Sequence, residues 1–145
     1  TNAATGGAIQ WASAGGAWQV LIKRNRFYKN VGDIVLLGTS QSVPQDVVIE
    51  KNHFSGPAGS VDCNLYLAGG SGMDGVHIAR NVFPVLPAIA AGSQVAYIKA
   101  TGCIGILADN KSGTDSAFGA AQVNTIPTTL FLSGNHDEGG LIARV

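Results

Sequence analysis

Two aspartates, Asp46 and Asp74, sit just ahead of two similar aliphatic stretches, 28 positions apart. Glycoside hydrolysis needs two carboxyl groups about 5 to 9.5 Å apart, one acting as acid and the other as base or nucleophile. Asp46 and Asp74 are therefore the candidate catalytic pair. Three cations, Arg24, Lys51 and Arg80, each stand immediately before an asparagine. Brought into one column they would form a track for an anionic polysaccharide; the plainer reading is a solvated edge on which Arg80 meets Asp109. Tyr66, Tyr97 and Trp18 are candidate platforms for sugar rings, although the same aromatics also serve as packing. His53 and His136 each follow an asparagine, where an imidazole can act as acid or base near neutral pH. Only His136 has carboxylates, Asp137 and Glu138, as sequence neighbours. Cys63 and Cys103 lie 40 positions apart with no partner at metal-ligand spacing. Buried thiols fit that pattern, and neither a metal nor another cofactor is expected.

What must position these groups is a repeat. Aligned on asparagine, the chain reads VLIKRNRF (20–27), VVIEKNHF (47–54), VHIARNVF (76–83), GILADNKS (105–112) and LFLSGNHD (130–137). Asn25, Asn52, Asn81, Asn110 and Asn135 are thus spaced by 27, 29, 29 and 25 residues, a solenoid period. Three positions before each asparagine stand Ile22, Ile49, Ile78, Leu107 and Leu132, and two after the first three stand Phe27, Phe54 and Phe83. Alternation with branched aliphatics predicts strands with an inward aliphatic side. Main strands are expected near 18–27, 47–54, 76–83, 103–112 and 130–137, with weaker second strands at 33–37, 64–67, 94–98 and 140–143. Equivalent strands running the same way, about 4.8 Å apart, make parallel sheets, and parallel crossovers are right-handed. The expected fold is all-β: a right-handed parallel β-helix of about five coils filling residues 1–145 as one domain. The asparagines are expected at tight turns, in left-handed backbone angles, with their amides bonded from coil to coil. Residues 1–17 read as a partial first coil, and a chain opening on Thr1–Asn2 rather than Met suggests a longer parent.

The blocks xVxIxxNxF, with asparagine at the turn after the strand and an aromatic two residues on, resemble the pectate-lyase-like right-handed parallel β-helix superfamily. Within it the chain is similar to bacteriophage tailspike and tail-fibre segments. That resemblance implies a virion-tail, extracellular host-recognition module that binds bacterial surface polysaccharide as a homotrimer. It carries no residue-by-residue lyase or polygalacturonase signature. The alternatives are a polysaccharide-cleaving enzyme, hydrolase or lyase, using Asp46 and Asp74, and a structural stalk or adhesin.

Composition narrows the partners. Nine Lys and Arg balance nine Asp and Glu, so no overall field draws the chain to nucleic acid. Apolar runs are short and broken by Gly, Lys or Asp, which excludes a spanning helix. Four before each asparagine stand Leu21, Val48, His77, Ile106 and Phe131, an outward column that is nearly all apolar. Together with a charged content of only 12%, this column predicts burial against another chain. Val85, Leu86 and Ile89, in the stretch from Pro84 to Ala91, have no obvious place inside a coil and point the same way.

Overall fold

The structure is a computed structural model that describes residues 7–12, 16–28, 30, 33–38, 43–55, 63–83, 98–112, 128–137 and 140–142. The described residues form strands and no helix. In chain order these are β1 (Ile9–Ala12), β2 (Ala17–Trp18), β3 (Leu21–Lys23), β4 (Arg26–Tyr28) and β5 (Ile34–Leu37). Then come β6 (Pro44–Gln45), β7 (Val48–Glu50), β8 (His53–Ser55), β9 (Leu65–Ala79) and β10 (Val82–Phe83). The last are β11 (Ile98–Ala108), β12 (Lys111–Ser112), β13 (Leu130–Ser133), β14 (Asn135–Asp137) and β15 (Gly140–Ile142).

Pairing joins each repeat to the next. A curled seven-stranded sheet runs β1-β5-β9-β11-β13, with β3 on β7 and β7 on the second half of β9. A six-stranded sheet runs β15-β14-β12-β10-β8-β4, and β2 pairs with β6. Every pairing is parallel except β14 with β15. The register carries Ile22 onto Ile49, Ile49 onto Ile78, Ile78 onto Leu107 and Leu107 onto Leu132, so the aliphatic column foreseen in the sequence is a column in space.

Those columns are the core. Ile22, Ile49, Ile78 and Leu107 are buried, and opposite them Phe27, Phe54 and Phe83 stack with centroids 4.9 and 4.8 Å apart and planes within 7°. The first half of the seven-stranded sheet adds Ile34 over Leu65 over Ile98, and Leu36 over Leu67 over Ala100. Fully burying one such side chain stabilises by about 1.5–3 kcal/mol, and identical shapes repeating at strand spacing leave few gaps.

Three sequence expectations change here. Each block expected as one main strand is two strands around a bend, because the residue before asparagine takes positive φ: Arg24 57°, Lys51 56°, Arg80 55°, Asp109 54° and Gly134 62°. The left-handed residue is therefore this one, and not the asparagine, which spends its amide on the next repeat instead. The segment 140–143, expected as another weak parallel strand, holds β15, which turns back antiparallel on β14 and covers the edge of the six-stranded sheet. A strand that reverses satisfies that edge without needing a further repeat. Residues 94–97 and the stretch from Pro84 to Ala91 lie outside the described residues.

Candidate functional site

The asparagine ladder builds the corner on which most of the cations sit. Asn52 Oδ1 accepts from Asn25 N and Nδ2, Asn81 Oδ1 from Asn52, Asn110 Oδ1 from Asn81, and Asn135 Oδ1 from Asn110, all at 2.9–3.1 Å. Each Nδ2 from Asn52 onward also donates to a carbonyl of the preceding repeat: those of Ile22, Ile49, Ile78 and Leu107. With the asparagines from Asn52 on pointing inward and fully bonded, the residues on either side of them face out. Arg24, Lys51 and Arg80 form the crest of a ridge, followed by Asp109 and Gly134. Arg26, His53, Val82, Lys111 and His136 line its slope on the six-stranded sheet. Six of the nine cations, counting Lys23, gather on this corner.

A carboxylate divides them. Glu50 is buried on the outer face of β7, with Lys23 Nζ at 2.9 Å, Lys51 Nζ at 3.7 Å and the Arg80 guanidinium bonded to its Oε1. The Lys23 ammonium, and then the Arg80 guanidinium, hold the Glu50 carboxyl down to about 2. Lys23 and Glu50 are register partners on β3 and β7. Arg80, expected to meet Asp109, reaches back to Glu50 instead, because a carboxylate already buried between two repeats is the stronger acceptor. Lys23, Lys51 and Arg80 thus gather over the seven-stranded sheet. Arg24, Arg26 and Lys111 pair with no acid among the described residues.

The other candidates are dispersed. Asp46 and Asp74 are exposed on adjacent repeats, and Asp46 N bonds Asp74 O at 3.0 Å. They occupy neighbouring columns: Asp46 lies over Gly75, while Asp74 N donates to Gln45 Oε1 at 3.1 Å. Trp18 is 74% exposed in the column of Gln45, at the opposite turn from the cations. Tyr66 is half-buried between Val35 and Lys99 on the other half of the sheet. Tyr97 lies outside the described residues. Tyr28, exposed beside Arg26 on β4, was not singled out in the sequence, although its place two residues after an outward cation marked it. Cys63 and Cys103 are buried thiols.

A second polar stack was also missed. Asp33 and Asn64 are buried at the same offset ahead of β5 and β9. Asp33 Oδ2 accepts from Asn64 Nδ2 at 2.8 Å, and its Oδ1 from Asn30 Nδ2 at 3.0 Å. Burial pushes the Asp33 carboxyl up, against the lowering effect of the bonds from Asn64 and Asn30. Asn64 Oδ1 is buried with no hydrogen-bond partner among the described residues.

Among the described residues no group of three or more His, Cys, Asp or Glu is placed to hold a metal, and no helix is long and apolar enough to cross a membrane. Comparison with protein-family models, with curated proteins and with solved structures finds no match.

Proposed function

We propose that the chain is a right-handed parallel β-helix of about five coils and serves as a phage tailspike-type module that binds an acidic bacterial surface polysaccharide. Support for the helix is the parallel register that joins the main-strand columns through five repeats, with handedness following the general preference of parallel crossovers. Support for the ligand is the concentration of six of nine cations on one corner of a chain with no net charge. Positions along that corner recur at about 4.8 Å, a spacing suited to a linear polyanion lying along it.

The polymer is read by Arg24, Arg26 and Lys111, whose charges no acid among the described residues offsets, with Tyr28 beside Arg26 as a surface for a sugar ring. Lys51 and Arg80 contribute less, because Glu50 shares their charge. The assembly we propose is a homotrimer on a virion tail, as in the spikes whose repeat pattern this chain resembles. Binding of the purified protein to an array of acidic and neutral bacterial polysaccharides tests the reading. Wild type should retain acidic polymers, and the Arg24→Gln/Arg26→Gln/Lys111→Gln variant should not. Equal retention by both proteins would refute it.

A further inference from the structure

The outer face of the main strands carries an apolar stripe between two flanks of opposite charge. Leu21, Val48, His77, Ile106 and Phe131 align through successive register pairs, a column about 19 Å long. Leu21 is 62% and Phe131 68% exposed; Trp18, Ile104 and Ile106 extend the exposed apolar surface. At the end of the strands, Lys23, Lys51 and Arg80 surround Glu50: three cations and one carboxylate, a net of +2. On the other side of the stripe, Asp46 ahead of β7 and Asp74 within β9 carry −2 and have no ion-pair partner among the described residues. Lys51 and Asp46 belong to one repeat, as do Arg80 and Asp74. Five residues of extended chain hold Asp46 about 16 Å from Lys51, too far to pair within one molecule.

We propose that this face packs against the same face of a second copy, with the strand columns parallel and in register, so that Lys51 meets Asp46 of the neighbour and Arg80 meets its Asp74. Rotation about an axis along the column exchanges the two flanks at constant height, so the basic side of one copy faces the acidic side of the next in each matching repeat. The antiparallel arrangement exchanges heights instead. Centred on the third repeat, it sets Arg80 against Arg80 and Asp74 against Asp74, leaving only Lys51 with Asp109 as an attractive pair. Charge therefore selects orientation, while the apolar stripe supplies the area removed from water. The inference rests on the stacked architecture proposed above and is independent of polysaccharide binding.

Light scattering on the full chain, with far-UV circular dichroism to confirm that each variant folds, tests it. Wild type should have a mass of two or three times 14.8 kDa. Lys51→Asp alone and Asp46→Lys alone should each weaken association about tenfold or more, and the double variant should restore it. A cysteine pair made as Lys51→Cys/Asp46→Cys should form disulfide-linked oligomers, and Arg80→Cys alone should not. A monomeric wild type at micromolar concentration, a double variant no better than the singles, or efficient self-linking by Arg80→Cys would each overturn the proposal. None of these outcomes depends on whether a sugar binds.

Discussion

The side-chain oxygen of Asn81 accepts from both the backbone N–H and the side-chain amide of Asn52, at 2.9 and 3.0 Å. The same double contact recurs from Asn25 to Asn135, so each interior asparagine is both donor to one repeat and acceptor from another. Removing the amide leaves a backbone N–H and a carbonyl buried without partners. Asn52→Ala should therefore cost on the order of 1–3 kcal/mol in urea unfolding. Asn25→Ala, at the exposed end of the ladder, should cost distinctly less. Equal costs would mean that the ladder contributes no more than any surface amide.

Gly105 takes the place of Val76 in the next repeat, at φ 154°, where an added Cβ would lie 1.9 Å from the Val76 carbonyl oxygen. Backbone cannot yield as a side chain can. Gly105→Ala should cost about 3 kcal/mol. At Gly134, φ 62°, the added carbon meets the Asp109 carboxylate, which can swing away. Gly134→Ala should cost about 1 kcal/mol, mainly the left-handed backbone. Unfolding midpoints of the two variants check the order.

Glu50 supplies a pH signature. Its carboxyl is held at about 2, below the ordinary 4.5, so the unfolded chain takes up the proton first as pH falls. The stability it contributes is complete above about 4.5 and is lost as pH falls toward 2. Glu50→Gln should be less stable than wild type at pH 7, and the gap should close across that window. A gap that stays constant from pH 7 to 2 would show that the three cations do not act through this carboxylate.

Asp33 works in the opposite sense. Burial raises its carboxyl above 3.8, so the protonated form is the one the fold favours. Its stabilisation is complete in acid and is lost as pH rises through the raised value. Asp33→Asn puts an amide beside Asn64 Oδ1, which has no partner among the described residues, in the donor-to-acceptor sense of the main ladder. It should raise stability by about 1 kcal/mol at pH 7, with a gain that shrinks toward pH 4. Loss of stability at pH 7 would show that the carboxylate is the better partner for Asn64 and Asn30.

The columns were legible because a side chain repeated every 27 to 29 residues on a two-residue alternation has one consistent explanation, and Ile22, Ile49 and Ile78 carry it without interruption. The bend before each asparagine was less legible, since Arg24, Lys51 and Arg80 are not residues that announce positive φ. Asp109 and Gly134, which hold the same backbone angle in the last two repeats, were the available hint. Long side chains were the hardest to place. Arg80 lies in the column of Lys51, yet its guanidinium travels back a repeat to Glu50, and no spacing rule tracks a flexible arm across a repeat. The reversal at β15 hid for a different reason: Leu141 and Ile142 suit a parallel or an antiparallel strand equally.

The most direct test of the account is the salt dependence of polysaccharide affinity, measured by titrating wild type and the Arg24→Gln/Arg26→Gln/Lys111→Gln variant with the same acidic bacterial polymer. Wild type should bind, and its Kd should rise steeply between low and physiological ionic strength as the ridge charges are screened. The variant should bind weakly at every salt concentration. Salt-independent binding by wild type, or no binding to any acidic polysaccharide, would contradict the assignment of the ridge as the binding surface.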